Sequence, residues 1–246
     1  MAKCMQQMDV RILDGVTALL FDLDGTLLGL DIDAFLPVYF QALVRRFDGI
    51  MPGHLLLDSV NKATFTMIGD RDRSRCNRDA FWGDFLPRVP LPGDKLEPIF
   101  AGFYQEDFPT LRYLARPLPE ARALLQRAVD RGYTLVLATN PVFPREAVYE
   151  RMRWGNIHDI PFALVTTYEN MHACKPQLEY YEEILDVLKL APEQCLMVGN
   201  DVQEDLVASL LRIRTYLVEG PYLRDQGEPR YEPYLRGSLD ALAALL

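Results

Sequence analysis

The sequence predicts an α/β protein: a Rossmann-like, doubly wound parallel sheet core carrying an all-helical cap domain inserted after the first strand. Three observations predict it. Short apolar runs at residues 16–21, 133–138, 162–165, 195–198 and 215–218 alternate with amphipathic helical segments, the pattern of strands covered on both faces. Residues 28–116 break that alternation with helical periodicity and no convincing strand. Three of the apolar runs end in polar clusters: Asp22-Leu23-Asp24, Thr139-Asn140 and Asn200-Asp201. Right-handed crossovers place the C-terminal ends of parallel strands on one edge, where ligands of open sheets bind, so one crevice gathers all three clusters. The expected division is a core of residues 1–28 and 117–246 with a cap of residues 29–116.

In chain order, residues 16–21 run directly into Asp22-Leu23-Asp24-Gly25-Thr26. If the strand continues, alternation puts Asp22 and Asp24 on one face. Two carboxylates held close repel unless a cation or a shared proton relieves them. Within the insert, Ile32, Phe35, Tyr39, Leu43 and Phe47 recur at helical spacing, with Pro37 expected in about the first turn. Met51-Pro52-Gly53 ends that helix, and residues 54–67 read as the next. Residues 69–73 are a polar turn, 77–86 a third helix and 95–107 a fourth, after a proline-rich loop. Beyond the insert, residues 119–131 form an amphipathic helix stopped by Gly132. Helices over 145–152, 178–190 and 205–211 separate the remaining strands. Residues 221–236 read as irregular, before a terminal helix near 239–246.

The 246 residues are 49% hydrophobic and carry 35 acidic against 26 basic side chains, a net charge of −9. With no Lys/Arg block longer than two, nucleic acid and anionic membrane are excluded as partners. Cys4, Cys76, Cys174 and Cys195 show no metal-ligand spacing and fit reduced thiols, Cys195 as a small buried hydrophobe. Residues 1–10 lack the apolar core of a signal peptide, and no segment reaches the roughly 18 apolar residues that span a bilayer. The expectation is a cytoplasmic monomer or homodimer whose partner is a small molecule.

Four motifs in order, Asp22-Leu23-Asp24-Gly25-Thr26, Thr139-Asn140, Lys175-Pro176 and Gly199-Asn200-Asp201-Val202-Gln203-Glu204-Asp205, resemble those of the haloacid dehalogenase superfamily, and the resemblance covers nearly the whole chain. It implies a Mg²⁺-dependent phosphatase that hydrolyses a small phosphorylated metabolite through an aspartyl-phosphate. Asp22 is then nucleophile and metal ligand; Asp24 is acid/base and lends its carbonyl to the metal. Dehalogenases of the superfamily lack this second aspartate. Thr139 and the amide of Asn140 would bind phosphoryl oxygens, although Thr139 also suits a helix N-cap ahead of Pro141. Lys175 would stabilise the nucleophile and the transferring group. Many relatives have Gly-Asp where this chain has Gly199-Asn200, so Asn200 and Asp201 are both candidate metal ligands. Asp205 would position Lys175 or a metal-bound water.

The insert occupies the position of a helical cap that closes over the site and sets specificity. Arg71, Arg73 and Arg75 are candidates for an anionic leaving group, against the blander reading of a solvated turn, while Trp82 and Phe85 read as cap core. The tyrosines Tyr222, Tyr231 and Tyr234 read as loop packing, and His54, His158 and His172 receive no role. A phosphomutase of the β-phosphoglucomutase type and a non-catalytic phosphate-binding protein are the rival readings. A phosphonatase would need a cap lysine, and neither Lys62 nor Lys95 is marked for that task.

Overall fold

The first apolar run becomes the centre of a parallel sheet because every one of its side chains is covered. The structure, a computed structural model, describes residues 13–246; Cys4 and the opening ten residues lie outside them. Strand β1 (Ala18–Phe21) is wholly buried. Strands β2 (Leu28–Leu30) and β3 (Ala115–Pro117) pair antiparallel with each other at the two ends of the insert. Strands β4 (Thr134–Leu137), β5 (Leu164–Val165), β6 (Cys195–Gly199), β7 (Arg214–Val218) and β8 (Leu235–Gly237) join β1 in a six-stranded sheet of order β5-β4-β1-β6-β7-β8. Every neighbouring pair is parallel. The winding reverses between β1 and β6, so their adjacent C-terminal ends bound the crevice at the switch point.

Alternation along β1 supplies both faces. Leu19 and Phe21 join one apolar cluster with Leu124, Leu125, Ala147 and Leu242. Ala18 and Leu20 join another with Tyr180, Ile184 and Val207. Cys195, at the start of β6, belongs to the second cluster as a free, buried thiol.

In the insert, helix α1 (Ile32–Arg46) is capped by the Asp31 carboxylate, which accepts from the amides of Asp33 and Ala34. Its Phe35, Tyr39 and Leu43 form the buried stripe. Pro37 is the sixth residue of this helix rather than part of its first turn, and its missing N–H removes one internal hydrogen bond. Helices α2 (Gly53–Gly69), α3 (Asn77–Phe85) and α4 (Gly93–Gly102) follow. A π-helical turn (Phe103–Asp107) and a 3-10 segment (Phe108–Leu114) return the chain to the neck. The core helices are α5 (Pro119–Asp130), α6 (Arg145–Trp154), α7 (Leu178–Leu188) and α8 (Leu239–Leu245). Residues 206–211 form a 3-10 turn, not an α-helix.

Two expectations are corrected here. Residues 28–116 do contain strand, because β2 and β3 close the neck of the insert as an antiparallel pair of three residues each. The stretch taken as irregular up to 236 ends in β8, which adds the sixth strand at the sheet edge. All three strands are too short for a period of two to register.

The insert packs onto the core through aromatic side chains. Phe108 stacks on Trp154 of α6 at 5.1 Å between ring centroids, and Phe35 meets the same indole edge-on at 6.2 Å. A buried polar tie accompanies them: Asn77, at the start of α3, donates through Nδ2 to the carbonyls of Pro141 and Ala173 at 3.3 and 3.2 Å. The insert is therefore held against both loops that follow the motif residues Thr139-Asn140 and precede Lys175.

Candidate active site

β1 ends at Phe21, and the amide of Asp22 makes one further ladder bond to the Val198 carbonyl at 2.9 Å. The chain then turns. The Leu23 carbonyl accepts from the amides of Thr26, Leu27 and Leu28, and Gly25 takes φ +86°. A tight turn, not an extended strand, therefore sets the spacing of Asp22 and Asp24. A Cβ at Gly25 would lie 2.4 Å from the Asn200 side chain, so this position requires glycine for space as well as conformation.

Lys175, fully buried, joins the first and last motifs. Its Nζ donates to Asp22 Oδ1 at 2.9 Å and to Asp205 Oδ1 at 2.6 Å. Asp205 Oδ2 accepts from the amide of Asp201 at 2.9 Å. Gly199 makes this approach possible, since a Cβ there would lie 2.0 Å from Asp205 Oδ2. Burial works to discharge the Lys175 ammonium, but Asp205 and Asp22 outweigh it and hold the group charged well above the usual lysine range. Burial, opposed by Lys175, pushes the Asp205 carboxyl up to about 7. Burial also raises Asp22, with Lys175 opposing and the neighbouring Asp24 adding to the rise. Glu204, which lines the same cavity, is pushed up to about 7 by burial.

Asp24 has a partner that the motifs do not announce. The Arg151 guanidinium, buried on α6, binds Asp24 Oδ2 through Nη1. The same guanidinium donates from Nε to the Ala147 carbonyl at 3.3 Å and lies over the Phe143 ring at 4.6 Å. Burial raises the Asp24 carboxyl and Arg151 opposes that rise. Asp24 Oδ1 is buried and has no hydrogen-bond partner. The available signal was helical phase: position 151 falls four residues after Ala147, on the face that also buries Val148 and Met152.

Thr139 and Asn140 follow β4 and line the cavity. The Thr139 carbonyl accepts from Thr166 Oγ1 at 2.7 Å and from the Tyr180 hydroxyl at 2.9 Å, which anchors the strand end. Thr139 is not a helix cap, because α6 begins at Arg145 with Pro144 in the cap position. Asn140 donates to the Lys175 carbonyl at 3.5 Å, tying the second motif to the third.

The two candidate ligands of the fourth motif separate. Asn200 Oδ1 accepts from Thr26 Oγ1 at 2.9 Å, and its Nδ2 donates to the Tyr222 carbonyl at 2.6 Å. Both ends of its amide are engaged with protein, so Asn200 acts as a strut between the β1 turn and the Tyr222 loop. Asp201 Oδ1 accepts from the amides of Gln203 and Glu204, each at 2.8 Å, and Oδ2 lies 3.5 Å from Arg224 Nε.

Above these groups the insert and the core enclose a cavity of about 370 Å³ lined by Asp22, Asp24, Thr139, Asn140, Arg151, Asn200, Asp201 and Asp205 from the core. Arg71, Arg73 and Arg75 do not line it; they pair with Glu179, Glu182 and Asp70. Trp82 does line it, whereas Phe85 is buried in the insert's own core. Tyr222 packs against the Asn200 strut and bonds Arg116 of the neck at 3.0 Å, in keeping with loop packing. His172 pairs with Glu183 at 2.6 Å and does not line the cavity.

The chain belongs to the haloacid dehalogenase-like hydrolases, whose family model matches residues 16–209. Its parallel six-stranded sheet gathers Asp22, Asp24, Thr139 and Asp201 around one cavity, with Lys175 bonded to Asp22. A glyceraldehyde 3-phosphate phosphatase of Methanothermobacter thermautotrophicus is 29% identical over 96 residues, 39% of this chain and 41% of that protein's length. Among solved structures, a predicted phosphoglycolate phosphatase from Haemophilus somnus aligns with TM-score 0.58 at 17% identity, over 94% of this chain and 98% of the other. An L-2-haloacid dehalogenase aligns with TM-score 0.53 at 21% identity, over 93% and 97%. Both phosphatases and dehalogenases thus share the fold, and the site residues must distinguish the reactions.

Proposed function

We propose that this hydrolase is a Mg²⁺-dependent phosphomonoesterase acting on a small phosphorylated metabolite, with Asp22 as nucleophile and Asp24 as acid/base. The observation that carries the reading is the pair of partly buried carboxylates in different settings: Asp22 on the Lys175 ammonium and Asp24 on the Arg151 guanidinium. A dehalogenase has no use for the second. Lys175 holds Asp22 Oδ1, so Oδ2 attacks phosphorus; the O–P bond forms as the bond to the leaving oxygen breaks. Asp24, its carboxyl raised by burial, donates a proton to that oxygen. The resulting carboxylate then takes a proton from the water whose oxygen attacks the phosphorus. The bond to Asp22 breaks and inorganic phosphate leaves.

Among the described residues no three His, Cys, Asp or Glu side chains gather into a closed metal cage. Mg²⁺ takes one or two carboxylates and completes its shell with waters and substrate phosphate. The candidate donors are Asp22, the Asp24 carbonyl, Asp201 and Asn200 Oδ1, which accepts one hydrogen bond from Thr26 and keeps its second lone pair. When bound, the ion neutralises charge between Asp22 and the phosphoryl oxygens. A phosphomutase is disfavoured because a bisphosphate needs a second anion site, and no Lys or Arg of the insert lines the cavity.

Inorganic phosphate release from a panel of phosphate monoesters should require Mg²⁺ and cease in EDTA; release unaffected by EDTA would remove the metal from the proposal. The carboxylates also make stability pH-dependent. Glu204 and Asp205 are held near about 7, above their ordinary range, so the stability they contribute is present at low pH and is lost as pH rises through about 7. In EDTA the thermal midpoint should therefore fall between about pH 5.5 and about pH 8. Mg²⁺ should raise it more at the higher pH, where binding at a concentration near 100 times Kd stabilises the fold by about 2.7 kcal/mol. Equal Mg²⁺ effects at both pH values would contradict this.

A further inference from the structure

The wall of the cavity that faces Asp22 and Asp24 is built from aromatic and aliphatic side chains. From the insert come Leu36, Tyr39, Phe40, Val60, Trp82 and Phe100, and the core adds Phe143 opposite them. Phe65, on α2, also lines it, although 73% of that residue is exposed. The polar side chains are few. Tyr39 and Tyr104 spend their hydroxyls on each other at 2.8 Å, leaving Asn61, Thr64 and the buried Trp82 Nε1 as the insert's other neutral polar contributions.

The charges lining the cavity matter as much. Among the described residues its two basic side chains are both from the core, and each already faces carboxylate: Arg151 on Asp24, and Arg224 at 3.7 Å from Asp33 and 3.5 Å from Asp201. A carboxylate or second phosphate on the leaving group would be desolvated there with no cation of its own. A polyol would leave hydroxyls unpaired against rings, at roughly 1–3 kcal/mol for each. At about 370 Å³ the space lies at the lower end of small-molecule pockets, roughly 300–1,000 Å³, and suits one ring system beside the phosphoryl group.

We infer that the substrate is the phosphate monoester of an uncharged, apolar, ring-bearing alcohol, whose ring lies among Phe40, Trp82, Phe100 and Phe143. This rests on the phosphomonoesterase reading and narrows it. Benzyl phosphate, glycerol 3-phosphate and phosphoglycolate are the probes, compared by kcat/KM in Mg²⁺. Benzyl phosphate should exceed both others by at least about tenfold, the scale on which an apolar pocket discriminates. Phe65→Lys, at an exposed position that does not endanger the fold, should narrow the gap to phosphoglycolate by supplying the missing cation. Parity among the three esters, or preference for either polar one, overturns the inference and leaves the phosphomonoesterase reading standing.

A second measurement is independent of turnover. Trp154 is buried and Trp82 lines the cavity, so quenching of tryptophan fluorescence reports occupancy. Benzylphosphonate should bind at least about tenfold more tightly than phosphonoacetate. Equal or reversed affinities overturn the inference even if no ester is hydrolysed, whereas inactivity on every ester with the expected binding order overturns only the phosphomonoesterase reading.

Discussion

Asp22→Asn should lower kcat for any ester the protein hydrolyses by roughly 10⁴- to 10⁶-fold, the scale on which nucleophile removal acts in covalent catalysis. The substitution keeps side-chain volume and the hydrogen bond from Lys175, so the loss falls on chemistry. A neutral amide cannot form the acyl-phosphate, and it removes the carboxylate offered to the metal. It also relieves a buried charge that both desolvation and Asp24 penalise. The variant should therefore melt no lower than the parent protein in EDTA. Steady-state kinetics and thermal denaturation on the same preparation check both halves; retained turnover would transfer the nucleophile's role elsewhere.

Arg151→Met should lower kcat by roughly 10²- to 10⁴-fold, the contribution of a positioned acid/base group, with a much smaller change in KM. Arg151 acts by holding Asp24 Oδ2, and its own aim is set by Ala147 and Phe143. Removing one member of a buried ion pair also costs about 3–5 kcal/mol of stability, so melting must be measured alongside. Two comparisons separate positioning from simple destabilisation. Arg151→Lys should restore part of kcat, and adding Arg151→Met to Asp24→Asn should cost little more than Asp24→Asn alone. Additive losses in the double variant would show that Arg151 acts independently of Asp24.

The legible part of this site was the part written locally. Asp22, Asp24 and Gly25 lie within four consecutive residues, and the need for a turn with glycine at positive φ is a property of that segment. Thr139-Asn140 and Lys175 could be placed because each follows a strand or leads into a helix whose periodicity is strong. Arg151 escaped because its partner lies 127 residues away and its helix shows only an interrupted apolar face. The packing partners of Asn200 were hidden for a related reason. Residue type made it a candidate ligand, but its two amide bonds, to Thr26 and to Tyr222 in a loop of no regular pattern, depend on chain packing. The neck strands β2 and β3 and the edge strand β8, three residues each, were invisible to periodicity and exist through their pairing.

By itself, then, the amino-acid order determined which strands end in the candidate residues, that their ends share an edge, and which carboxylates and which lysine meet there. These follow from side-chain period, strand burial and the handedness of crossovers, all of which are local or topological rules. Only the tertiary structure decided that Asp24 answers to Arg151, that Asn200 is a strut, and that the insert presents rings instead of cations to the crevice. Those outcomes depend on which faces of distant helices are pressed together. The free energy that selects them comes from packing the insert's aromatic side chains against Trp154 and the sheet, which no single segment encodes.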